Sequence, residues 1–189
     1  GYLRVSIKEP IIETLEDNPL LSRRDMRARI TIPVKEGIRY KINTVQFENV
    51  TMLSDTALKA LLNVKEESYY NKTKLEEGTK NIGNIYKNQG YINFFAETLI
   101  AYPKDKKGYV DLKVVVTEGD PFFIRQINFL GNKTTRDKVL RRNIFLTEES
   151  PFNYKALEDS MRRLNQLGFF GSVTPNFNFD QENKQVDID

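Results

Sequence analysis

Acid–base chemistry in this sequence falls to its carboxylates, because the imidazoles and thiols that usually carry it are missing. The chain has 26 Asp and Glu but no His and no Cys. Imidazole and thiol catalysis, disulfides and nearly all zinc sites are thereby excluded, since zinc draws on Cys and His. A mechanism run by paired carboxylates remains. The acids that sit together (Glu66 and Glu67, Glu76 and Glu77, Glu148 and Glu149) are adjacent in sequence. Such neighbours point apart on a helix or a strand, so they make poor acid–base partners and read as solvated charge. The glycines are scattered singly, with no Gly-rich phosphate loop after a strand. No catalytic residue, cofactor or metal is expected, and the chemistry left to the chain is binding.

Charge narrows the partner. Lys and Arg number 29, giving a net charge of +3, and they alternate with acids along most of the length. A nucleic-acid binder shows a segregated basic excess. The other chemical possibility is a backbone one, in which an unpaired strand edge offers its N–H and C=O groups to another chain. No run of about 18 apolar residues is present, so no membrane-crossing helix is expected. The N-terminus carries no charged segment followed by an apolar one, so no signal peptide is expected in this stretch.

An internal repeat supplies the elements that would hold such an edge. Residues 29–37 (RITIPVKEG) resemble residues 111–119 (DLKVVVTEG), and Gly37 and Gly119 lie 82 positions apart. The same shift carries Tyr40 and Ile42 onto Phe122 and Ile124, Val45 and Phe47 onto Ile127 and Phe129, and Leu58, Leu75 and Ile82 onto Leu140, Leu157 and Leu164. Gly90 and Tyr91 then match Gly168 and Phe169 at a shift of 78, a slip of about one helical turn.

One unit reads as β-α-α-β-β. Residues 40–47 alternate apolar and polar, the period of a half-buried strand. A helix follows over 54–62, with Ser54 as N-cap and Leu58, Leu61 and Leu62 on its buried face. A second helix starts at the cap Asn71, buries Leu75, Ile82, Ile85 and Tyr86, and stops near Gly90. Strands are expected over 91–101 and 109–116, joined by a turn at 103–108. The next unit repeats this with a strand at 124–129, a helix at 135–145, and a second helix capped by Asn153 that buries Leu157, Met161, Leu164 and Leu167. A strand at 173–179 follows, and 186–189 begin a closing strand that is cut short. Residues 1–38 read as the end of a preceding unit, with strands at 2–12 and 26–34 and an insertion over 11–24. The expected organisation is therefore 1–38, 39–119 and 120–189, an α+β tandem in which two helices cover one face of each three-stranded sheet. The joint at 119–122, with only Gly119, Asp120 and Pro121 between strands, is expected to be stiff.

The last unit carries a Gly131–Asn132 turn, the run Val139, Leu140, Arg141, Arg142, and the corner Leu167, Gly168, Phe169, Phe170. The preceding unit carries Tyr86 to Tyr91 (YKNQGY) and the triplet Thr117, Glu118, Gly119. In order and spacing these resemble the POTRA domains of BamA-type outer-membrane insertases, the last unit being similar to the barrel-proximal POTRA. The resemblance implies tandem modules with mixed sheets, in the periplasm, ahead of a membrane β-barrel in the same full-length chain. It implies binding of unfolded outer-membrane protein clients by β-augmentation, in which a client strand joins a sheet edge. The strand after the two helices is that edge. Its candidates are Tyr91, Ile92, Asn93, Phe94, Phe95, Ala96, Glu97, Thr98 and Leu99 in one unit, and Val173, Thr174, Asn176, Phe177, Asn178 and Phe179 in the next. The resemblance also implies docking of BamD-type accessory lipoproteins through Arg141 and Glu148, although Arg near a helix C-terminus also complements the helix dipole. The chain departs from the family pattern nearby, with Asn143 where an acid is usual and Glu149 where Gly is favoured. A TamA-like or two-partner secretion transporter is the alternative within the superfamily. From another class comes a nucleic-acid-binding α+β module, against which the strand aromatics are not interleaved with a basic stripe. No nucleic acid and no small-molecule substrate is expected.

Overall fold

The computed structural model describes residues 2–14 and 28–189. Gly1 and Met26, and most of the insertion expected over 11–24, lie outside the described residues. The N-terminal stretch forms two short antiparallel ladders: β1 (Ser6–Ile7) with β4 (Val34–Lys35), and β2 (Ile11–Thr14) with β3 (Ala28–Thr31). Two long strands were expected here. Prolines Pro10 and Pro33 interrupt them, because proline has no N–H to give a ladder. The four residues from Ile11 onward are strand, so the insertion starts later than the sequence pattern places it.

Two units of one topology follow. The first comprises β5 (Lys41–Glu48), α1 (Asp55–Leu62), α2 (Lys72–Lys87), β6 (Phe95–Ala101) and β7 (Tyr109–Thr117). The second comprises β8 (Phe123–Ile127), α3 (Asp137–Arg141), α4 (Tyr154–Gln166), β9 (Phe177–Asp180) and β10 (Gln185–Ile188). In each, the last strand sits centrally, parallel to the first and antiparallel to the one after the helices, giving the orders β5-β7-β6 and β8-β10-β9. The fold is α+β with three-stranded mixed sheets.

Local sequence explains the helices. Ser54 accepts from the Ala57 amide (3.3 Å), Asn71 from Lys74 (3.2 Å) and Asn153 from Ala156 (2.8 Å), so each cap satisfies a donor the helix cannot. Helix α3 is shorter than the eleven residues expected. Its N-cap Arg136 makes no side-chain cap bond, and the Asn132 amide takes the Thr135 carbonyl (3.1 Å) into the preceding turn. One face of each sheet carries the core: Ile42, Val45, Val110, Leu112, Val114 and Val116 cluster with Leu58, Leu62, Leu75, Ile82 and Tyr86. In the second unit Ile124, Ile127, Val186 and Ile188 cluster with Leu146, Phe152 and Leu157. Leu61, Ile85, Met161 and Leu167 are half-buried at the margins.

The repeat extends into detail that periodicity does not show. Asn43 and Arg125, 82 positions apart, each form a bulge in the parallel pair. Each bulged side chain turns to an aspartate on the central strand. Asn43 donates to Asp111 (2.7 Å), and Arg125 donates through Nε to Asp187 (2.8 Å). Glu67 and Glu149 match in the same way, both left-handed (φ 64° and 67°) and both donating N–H to a first-strand carbonyl, Ile42 and Ile124.

Candidate polypeptide-binding edges

The strand order leaves β6 and β9 with one neighbour each, so half of their backbone N–H and C=O groups face outward. Among the described residues no helix packs on the sheet face opposite α1 and α2, where the central-strand side chains are half-buried and those of β6 exposed. On β6 burial alternates strictly, with Phe95, Glu97, Leu99 and Ala101 outward and Ala96, Thr98 and Ile100 toward the helices.

Both edges begin later than the sequence suggests. The aromatic and β-branched run from Tyr91 reads as strand, but Tyr91, Ile92, Asn93 and Phe94 form the turn that leaves α2. The Tyr91 amide bonds the Tyr86 carbonyl (3.1 Å) and the Phe94 amide bonds the Tyr91 carbonyl (3.2 Å). The Tyr91 ring meets Tyr86 edge-on (5.6 Å) and the Phe94 ring stacks on it (4.3 Å), so their side chains serve the core. Phe95 to Leu99 are in the edge strand. In the second unit Val173 and Thr174 precede the ladder, because Pro175 has no N–H for it. They line an apolar cleft of about 700 Å³ with Phe129, Leu140 and Phe169. Asn176 exchanges both backbone bonds with Asp189 (2.9 Å each), and Phe177, Asn178 and Phe179 lie in β9.

Arg141 and Glu148 meet, but inside the module. Arg141 donates to Asp137 (2.8 Å), to Glu148 (3.2 Å) and to the Ile127 carbonyl (2.8 Å), and Glu148 accepts from the Ile127 amide (2.9 Å). The Ile127 amide first, then Arg141, holds the Glu148 carboxyl below its ordinary range. The pair therefore clamps the end of β8 to α3 while each side chain stays 41–43% exposed to solvent.

Sequence reading missed the residue that locks the upstream sheet to its helices. Glu118, just past β7, accepts from the Thr51 amide (2.8 Å), the Met52 amide (3.1 Å), the Thr51 hydroxyl and the Tyr86 hydroxyl (2.5 Å). Burial works to raise the carboxyl pKa, but these donors outweigh it and hold it at about 2. Burial, then the bond to Glu118, pushes the Tyr86 phenol up. Only the Thr117, Glu118, Gly119 triplet hinted at such a role.

The joint between units is bonded as well as short. The Phe122 amide donates to the Gly90 carbonyl (2.9 Å), and Asn88, the C-cap of α2, accepts from the Lys155 amide in the first turn of α4 (3.0 Å). Ile92 packs against the downstream core. Gly90 has φ 93°, and a Cβ there would lie 2.7 Å from the Phe122 carbonyl oxygen. Gly90→Ala should therefore loosen the joint. ¹⁵N relaxation is expected to give one correlation time for both units of the native chain and two for the variant; one unchanged value in the variant would show that these contacts do not set the stiffness.

Comparison with known proteins places these features. The family described as surface antigen variable number repeat, POTRA, matches residues 40–119 and 122–189. The chain is 30% identical over 147 residues to outer membrane protein assembly factor BamA of Neorickettsia risticii, covering 76% of this chain and 19% of that protein. It is 27% identical over 175 residues to BamA of Buchnera aphidicola, covering 92% and 27%. The chain thus spans roughly a fifth to a quarter of the length of these relatives. Among solved structures it is similar to Haemophilus influenzae BamA POTRA3-5 (TM-score 0.73, 20% identity, 100% of this chain and 72% of that one). It is also similar to BamA of Haemophilus ducreyi lacking POTRA domains 1-3 (TM-score 0.69, 26% identity, 79% and 28%).

Proposed function

The chain belongs to the POTRA family, as domains of the BamA type, and from that premise we propose that it is the periplasmic, polypeptide-binding scaffold of an outer-membrane β-barrel assembly protein. The scaffold works by binding, without catalysis. The observation that carries this reading is that two sheets of one topology each leave the strand after the helices at an edge, with no further strand paired to it among the described residues. Backbone hydrogen bonding at an edge is indifferent to client sequence, which suits a machine with many clients. One such contact is weak, and tandem edges on a stiff joint raise the effective concentration of a tethered client.

In the full-length chain the modules precede a membrane β-barrel, which handles the client next. Among the described residues no helix is long and apolar enough to cross a membrane. A second surface, Arg141 with Glu148, docks an accessory lipoprotein of the BamD type. What supports it is that both side chains keep two-fifths of their surface exposed while their intramolecular bonds fix their position. An amide-resolved NMR titration with a peptide from an outer-membrane barrel strand tests the client role. Saturable shifts are expected; no shift at millimolar peptide, with clean binding of the lipoprotein, would recast the modules as a docking scaffold alone.

A further inference from the structure

Resting on the edge-strand reading above, we propose that β6 rather than β9 takes the client, and that it selects a strand presenting a basic side chain between two apolar ones at alternate positions. Strand length is the first argument. β6 pairs with β7 without a break over seven residues, from Phe95 opposite Thr117 to Ala101 opposite Asp111, whereas β9 has four. At the far end Arg4 lies over the Tyr102 ring (4.5 Å), so the open run is β6 itself.

The uncovered faces differ more. Beside β6 it presents Phe95 and Leu99, 63% and 46% exposed, with half-buried Val115 next to them on β7. Beside β9 the same face presents Asn178 and Asp180, opposite Asp187 and Gln185. The β9 aromatics turn the other way: Phe177 packs edge-on to Phe152 (6.0 Å) and Phe179 to Phe122 (5.8 Å). An apolar strand therefore finds apolar neighbours at β6 and polar ones at β9.

Charge fixes the register. Lys113, opposite Leu99, is taken by Glu48 at 2.8 Å. Glu97 is exposed and makes no ion pair among the described residues. The edge thus shows one unbalanced negative charge, flanked two residues away on each side by an exposed apolar side chain. On an added strand the directly opposed positions on that face are also two apart. The complementary partner reads apolar, any, basic, any, apolar. Barrel strands alternate with the same period of two, and near the membrane interface, beside the aromatic girdle, a basic side chain on the apolar face costs little.

The test uses two end-capped seven-residue peptides that alternate apolar and polar residues and differ only in a central Lys or Glu. Each is titrated at low salt into the ¹⁵N-labelled chain and into Glu97→Lys, an exposed position whose side chain makes no hydrogen bond or ion pair among the described residues. The Lys peptide is expected to bind the native chain about three- to tenfold tighter than the Glu peptide, the range of two exposed opposite-charge pair effects. The preference inverts in Glu97→Lys and shrinks with salt. Equal affinities with shifts on β6 amides overturn the charge register and leave the edge assignment standing. Shifts on β9 amides overturn the choice of edge. Binding of neither peptide overturns the client-binding reading beneath both.

Discussion

Gly78→Ala is expected to lower the unfolding midpoint of the upstream module by about 10–20 °C, from a cost of about 3 kcal/mol in a domain of this size. Gly78 lies in α2 where α1 ends against it. A Cβ there would sit 2.2 Å from the Leu62 carbonyl oxygen and 2.7 Å from the Leu62 carbonyl carbon and Cα. All three are backbone atoms, so no side-chain rotation relieves the overlap. The helices must separate, and Leu58, Leu62 and Leu75 lose their packing together. Gly83→Ala provides the contrast. Its Cβ would meet the Phe94 ring at 3.3 Å, a side chain able to give by a few tenths of an ångström. Calorimetry of both variants decides the matter. Equal midpoints for Gly78→Ala and the native chain would show that the helix pair is not the tight element of the module.

Removing Glu118 should cost about 2–4 kcal/mol, because Glu118→Ala leaves the fully buried Tyr86 hydroxyl without its acceptor and frees the Thr51 and Met52 amides. The same residue sets part of the acid response. An unfolded Glu titrates near about 4.3, while the folded carboxyl is held at about 2. A folded pKa below the unfolded value stabilises above the unfolded one, and that stabilisation is lost as pH falls through the interval between them. Urea unfolding of the native chain should therefore weaken from about pH 5 to about pH 2 more steeply than that of Glu118→Gln. Asp180, Asp187 and Glu148, whose carboxyls are also lowered, remain in both proteins and cancel in the comparison. Parallel slopes would show that the Glu118 charge contributes nothing to folding.

The contrast between these two residues shows what a sequence reveals. Helix caps are encoded within three residues, so Ser54, Asn71 and Asn153 announced them, and the 82-residue shift exposed the repeated β-α-α-β-β order. Glu118 bonds to Thr51 across 67 positions and Asn88 to Lys155 across another 67, and no local pattern marks such pairs. The strand beginnings failed for a related reason. Tyr91 to Phe94 have the aromatic composition of a strand, yet they fold back onto Tyr86, and tertiary packing overrode propensity. Of the proposed binding surface, the edge positions Phe95 to Leu99 were legible, because the strand after two helices must return beside a central one. The isolation of Glu97 was not, since it depends on Glu48 having already taken Lys113. The Arg141 and Glu148 pair was visible as two charges; their shared hold on Ile127 emerges only when β8 and α3 are brought together.

Whether a client strand completes the β6 sheet is decided by following, residue by residue, the backbone amides of the labelled chain as a barrel-strand peptide is added. Saturable shifts and slowed hydrogen exchange are expected along Phe95–Ala101, strongest at alternate amides, because only every second N–H of an edge strand points toward a new neighbour. Shifts confined to the outer faces of α2 and α4, with β6 and β9 exchanging as fast as before, would contradict that expectation. They would mean that these modules hold their partners by side-chain contacts on the helices and not by completing a sheet.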